Sequence, residues 1–152
     1  MRHPYRYPLQ ALQNLRGTDV DAAQAALRLA EREISSNEEA ISSCGASMRQ
    51  LEQEVRATRS GGQFDLDQQR AAYSYLSHLR LRLTTLQQTR AELLEQEQQC
   101  QQHLSLARSA LRTLEKHHAR LGDAYLLDVA RAGQREADEG WLSRAKAREV
   151  AP

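Results

Sequence analysis

Aromatic residues, proline and cysteine are scarce in this chain: 152 residues include one Phe, one Trp, five Tyr, three Pro and two Cys. So few large rings leave little to fill a globular interior. The abundant Gln, Glu, Arg, Ala and Leu belong to the composition of long helices. The opening Met1-Arg2-His3-Pro4-Tyr5-Arg6-Tyr7-Pro8 has no apolar core, and no stretch approaches about 18 apolar residues. A soluble protein with neither secretory signal nor membrane span is expected. Charge of one sign is missing as well, since the net charge is +1 and the 19 Arg and two Lys alternate with acids along helical faces. These read as solvated faces, and no nucleic acid partner is expected.

Catalytic signatures are absent. The sequence holds no phosphate loop, no Gly-x-Ser-x-Gly elbow, no Cys-x-x-Cys pair and no His-Glu-x-x-His helix. His117 and His118 are adjacent and so point about 100° apart on a helix, which makes a shared metal improbable. Cys100 and His103 lie on one face, but two ligands are not a metal site. The acid pairs Glu38-Glu39 and Asp138-Glu139 have no pocket that would raise a pKa for general acid or base work. The chain is read as a non-enzyme with no cofactor and no metal.

What is present is a pair of heptad ladders. Val20, Leu27, Ile34, Ile41, Met48 and Val55 recur every seven residues, with Ala23, Ala30, Asn37, Cys44 and Leu51 in the companion row. In the second half Leu76, Leu83, Leu104, Leu111 and Tyr125 hold one row, and Leu79, Leu86, Leu93, Cys100, Ala107, Leu114 and Leu121 the other. These are the seams of a coiled coil. Between them Gly61 and Gly62 sit side by side, which a helix does not sustain cheaply, so the chain is expected to reverse there. The predicted fold is all-α, a long antiparallel two-helix coiled-coil hairpin forming one domain over 1–152. Helix one covers about 9–58, the turn 59–65 and helix two 66–147. At about 1.5 Å per residue these helices measure roughly 75 and 120 Å, so the second overhangs the first.

Register follows from pairing a positions with d positions. If paired residue numbers sum to 127, Val55 meets Ala72, Met48 meets Leu79, Ile41 meets Leu86, Ile34 meets Leu93 and Leu27 meets Cys100. The reversal then centres between Gln63 and Phe64. A sum of 120 also matches the rows but turns the chain at Ser60, ahead of the glycines. The preferred register sets Asn37 against Arg90 and Ala30 against Glu97, polar seam groups of the kind that fix register at a cost in stability. Cys44 then faces Leu83, about 25 Å along the helix from Cys100, which excludes a disulfide between the two cysteines. Both read as small buried groups in a reducing compartment.

Some apolar residues stand off the seam. Leu81, Tyr75 and Tyr73 fall at f, g and e positions, and Leu29 and Leu106 at c. The cluster around residues 73–86 reads either as a docking surface or as ordinary packing. Leu9, Leu12 and Leu15 step by threes, out of phase with the seam. Leu121, Tyr125, Leu126 and Val129 have little of helix one left to cover them, so Tyr5 and Tyr7 fold back there or a partner protein does. Trp141 is a lone ring on a polar tail, suited to an intermittent contact.

With these features the chain resembles the FliJ/YscO central-stalk proteins of bacterial flagellar and injectisome type III export. The resemblance rests on Tyr7-Pro8-Leu9-Gln10-Ala11-Leu12-Gln13-Asn14-Leu15-Arg16 followed by Asp21-Ala22-Ala23, on Tyr75-Leu76-Ser77-His78-Leu79 after the turn, and on the polar end from Arg135 to Ala145. It implies a stalk protein that inserts its tip into the hexameric export ATPase, stimulates it and couples it to the membrane export gate. By resemblance the segments 9–20 and 111–129 form the tip, with Leu9, Leu12, Leu121 and Tyr125 contacting the ATPase. Tyr75, Leu79, Arg82 and Leu86 would meet the cytoplasmic domain of the gate protein. There the ladder itself places Leu79 and Leu86 in the seam, and Arg82 stands where the family tends to a small residue. The polar tail would meet export chaperones. The implied location is cytoplasmic, at the base of the secretion apparatus, peripheral to the membrane only through partners. An export chaperone or scaffold of the same apparatus is the alternative reading.

Overall fold

The computed structural model describes residues 5–62 and 65–149. Two α-helices account for nearly all of them: α1 over Gln10–Ser60 and α2 over Leu66–Glu149. The fold is the expected helical hairpin, with helix ends within two residues of the expected bounds. The expected centre of the reversal, Gln63 and Phe64, lies outside the described residues. Its flanks are described, and each has a local cause. Gly62 takes φ +71°, the left-handed region in which a Cβ is strained, and the Gly61 amide donates to the Ala57 carbonyl at 3.0 Å. Asp65 caps α2: its Oδ1 accepts the Asp67 amide at 3.0 Å and its carbonyl the Gln69 amide at 3.1 Å.

The chain divides into two compact units, Asp21–Ser105 and a second made of Met1–Val20 with Leu106–Pro152, and each helix contributes to both.

In the unit Asp21–Ser105 the heptads become a seam. Ala23, Ala30, Asn37 and Cys44 of α1 are buried, whereas Leu27, Ile34, Ile41, Met48 and Val55 are half-buried. On α1 the small groups are the ones closed off from water, while the larger ones lie at the flanks of the seam and keep some water contact. Leu76, Leu79 and Leu104 are the buried residues of α2 in this unit. Register is fixed by contacts that cross the seam. The Cys44 thiol donates to the Leu79 carbonyl at 3.4 Å, and in an α-helix that carbonyl lies beside the amide of Leu83, the residue expected opposite Cys44. Arg90 donates through Nε and Nη2 to Glu38 Oε1 at 3.0 and 2.9 Å, one residue from its expected neighbour Asn37. Both groups are about half exposed, so the pair contributes little, on the order of 0–1 kcal/mol. Both cysteines are free thiols.

Asn37 is the costly member of the seam. It is buried, and its Oδ1 has no hydrogen-bond partner among the described residues. Leaving a polar atom dry costs about 1–3 kcal/mol, so Asn37→Leu is expected to stabilise the hairpin by about that amount in a urea titration. A seam polar group also restricts pairing. The same variant is therefore expected to sediment partly as higher oligomers, and a strictly monomeric variant would remove the specificity role from Asn37.

Candidate functional site

The unit built from both chain ends contains a cluster of five rings that joins the N-terminal segment to α2. α1 starts without a capping side chain: the Gln10 amide bonds the Tyr7 carbonyl at 3.3 Å and the Gln13 amide bonds the Leu9 carbonyl at 2.9 Å. No acidic residue stands in its first turn. Tyr7 anchors this end instead. Only 7% exposed, its ring lies flat on His118 with centroids 4.2 Å apart and planes 7° apart, and tilts against His117 at 5.7 Å. Its hydroxyl donates to the Leu114 carbonyl at 3.3 Å and lies 2.9 Å from His117 Nδ1. A hydroxyl that donates to the carbonyl accepts from Nδ1–H, so the Nδ1–H tautomer of His117 serves both bonds.

Tyr5 completes the cluster, stacking on His118 at 6.0 Å and packing on Tyr125 at 5.3 Å. On α1, Gln13 Oε1 sits 3.0 Å from His118 Nδ1 and accepts from an Nδ1–H there. His118 thus has a ring on its face and an amide at its edge. Tyr5 and Tyr7 do fold back over α2, one of the two arrangements left open by the sequence. From the sequence, helix geometry argues only against a metal shared by the two histidines. For His118 the overlooked signal was periodicity, because it stands seven residues after Leu111 and seven before Tyr125, in the row itself. His117 flanks the seam and had no such signal. Among the described residues no group of His, Cys, Asp and Glu could hold a metal ion.

Burial pushes the Tyr7 phenol above its ordinary pKa, with the charge of Tyr5 adding a second, smaller push. A raised folded-state value means that the neutral phenol is favoured in the native protein. The associated stability is complete below the ordinary tyrosine pKa of about 10 and is lost as pH rises through the folded-state value. Thermal stability is therefore expected to fall above about pH 10, and Tyr7→Phe should flatten that part of the profile. An unchanged alkaline slope in Tyr7→Phe would show that other groups set it.

The residues singled out from the sequence fall into two sets. Leu9, in the turn just before α1, and Leu12, on α1, lie exposed, Leu12 at 37%, while Leu121 and Tyr125 are half-buried on α2 with Tyr5 against Tyr125. All four belong to the unit of the chain ends. Leu126, Leu127, Trp141 and Leu142 extend this apolar exposure along α2. In the other unit Tyr75 is 52% exposed, Arg82 is exposed and Leu86 half-buried, whereas Leu79 is 3% exposed and packs the seam beneath them. Tyr73 and Leu81 are exposed as their off-seam positions require, and the Tyr75 ring stacks on His78 at 6.4 Å. Tyr75 also borders a groove of ≈ 360 Å³ lined by Leu51, Val55 and Ala72 together with the polar Glu54, Arg59 and Asp65.

No described helix is long and apolar enough to cross a membrane. No family model matches the sequence, and no curated protein matches it at a meaningful level. Among solved structures, the chain is similar to one of a candidate YscO homolog, CT670, from Chlamydia trachomatis. The two are 16% identical, the match covers 97% of this chain and 100% of that one, and the TM-score is 0.53. At that identity the likeness is one of fold, and it runs through the whole hairpin.

Proposed function

We propose that the chain is a non-enzymatic coupling subunit of type III secretion or flagellar export. Its terminal unit inserts into the hexameric export ATPase and stimulates it, and the face around Tyr75 meets the cytoplasmic domain of the export gate. The polar end of α2 is read as the contact for export chaperones, and the working place as the cytoplasmic base of the apparatus. The observation that carries the reading is the apolar surface left open at the start of α1, by Leu9, Leu12 and Leu15, and along the end of α2, by Leu126, Leu127, Trp141 and Leu142. A hairpin with no further task has no reason to keep such residues in water, and apolar area of this kind marks a surface that a partner covers. The fold likeness to the candidate YscO homolog supports the same reading.

The groove beside Tyr75 favours a second reading, a chaperone or scaffold of the same apparatus, because a client-binding protein keeps its apolar groove near the middle of the chain. ATPase turnover separates the two. The purified chain is expected to hydrolyse no nucleotide alone and to raise the turnover of its cognate export ATPase. A turnover unchanged at saturating chain would leave the chaperone or scaffold reading in place.

A further inference from the structure

The ring cluster has a property that a purely structural anchor does not need. Tyr5, Arg6 and Tyr7 precede α1 as an arm, and among the described residues no backbone hydrogen bond ties that arm to α2. Side chains alone hold it: two tyrosine rings against His117, His118 and Tyr125, and one hydroxyl on the Leu114 carbonyl and His117. The Tyr7–Gln10 turn lies immediately behind it, so the arm can swing without unwinding α1. The closed position is also imperfect, since the Tyr5 hydroxyl is buried with no hydrogen-bond partner among the described residues. Release would return that hydroxyl to water. Beneath the arm runs the α2 face of Leu114, His118, Leu121 and Tyr125, and in the same unit α2 also leaves Leu126 and Leu127 exposed on its other sides.

We propose that the Tyr5–Tyr7 arm is an autoinhibitory latch, closed in the free protein over the α2 face at residues 114–125 and displaced when the export ATPase takes that face. This rests on the stalk reading above. His118 is the catch, because both tyrosines stack on it and Gln13 fixes its ring. A site blocked in most molecules binds more weakly by the fraction that is open. Freeing the arm therefore raises affinity without adding a contact.

The test uses the full chain and the variant Tyr5→Ala/Tyr7→Ala, with two readouts. In the free wild type the His118 ring protons, assigned against His118→Gln, are expected upfield because Tyr7 stacks on them, and the variant should return them to ordinary positions. Titrated with the cognate hexameric export ATPase, the variant should bind about tenfold more tightly, the gain for a latch closed in roughly nine molecules of ten. An unshifted His118 in the wild type would overturn the latch outright. A shifted His118 with equal or weaker binding by the variant would show that the arm is a fixed part of the surface, and would overturn it equally. If neither protein binds the ATPase, the stalk reading fails and the latch loses its role, while the His118 resonance still reports whether the arm is closed.

Discussion

Leu12→Asp or Leu121→Asp is expected to abolish stimulation of the export ATPase while the chain stays helical by circular dichroism. Leu12 is on the surface of the terminal unit, so its substitution removes no packed residue, while Leu121 is only half-buried in the seam. What changes is the cost of covering the site. A carboxylate carried into an apolar sleeve loses its hydration with no partner to replace it, a penalty of several kcal/mol. At 1.4 kcal/mol per tenfold, a loss of about 3 kcal/mol already weakens binding by roughly a hundredfold. Leu12 is the cleaner position, because Leu121 also faces the seam. Full stimulation by both variants would remove the stalk assignment.

The second large effect separates packing from docking on the Tyr75 face. Leu79→Ala is expected to destabilise the hairpin by about 2–4 kcal/mol, the cost of truncating a buried leucine where a two-helix seam relaxes only in part. Leu79 is buried and its carbonyl holds the Cys44 thiol, so the substitution disturbs the point at which the register is fixed. Tyr75 is half exposed and its ring stacks on His78 of its own helix, so Tyr75→Ala should change stability by less than about 0.5 kcal/mol. Its effect belongs to binding, about 1–3 kcal/mol against the cytoplasmic domain of the gate protein, as for other aromatic anchors. A thermal melt beside a binding isotherm decides. A Tyr75→Ala protein that melts several degrees lower and binds normally would make Tyr75 a packing residue and move the docking surface elsewhere.

The hairpin was legible because its determinants are local or periodic. The rows through Ala23 to Cys44 and through Leu76 and Leu79 became the buried seam, and Gly61 with Gly62 ended α1 where a left-handed residue was needed. Register was legible to within about a residue, since Cys44 reaches the Leu79 carbonyl, one turn before the expected Leu83, and Arg90 bonds Glu38, the neighbour in sequence of the expected Asn37. The ring cluster was legible only as one of two alternatives, Tyr5 and Tyr7 folding back towards Leu121 and Tyr125, without the partner of either ring. Tyr7 meets Leu114 and His117 across more than a hundred residues, and no periodicity of α1 extends into the arm. A tyrosine in an irregular segment carries no information about which ring it will cover. Size was a second blind spot: heptads do not say that the small companion residues of α1 are closed off from water while Ile34 and Ile41 remain half-buried.

Beyond Tyr125, α2 continues to Glu149 with Leu126, Trp141 and Leu142 in water. Its turns are held by their own backbone bonds, yet they escape the usual penalty for starting a helix, because the packed turns before them act as a permanent nucleus and each further residue only propagates it. Such a segment has no melting point of its own. Its helical length is a running average that shortens from the free end as temperature rises, ahead of the cooperative loss of the hairpin. A protein that grips the far end thus meets a helix already formed in part, and the ordering entropy it must supply depends on where along α2 it takes hold.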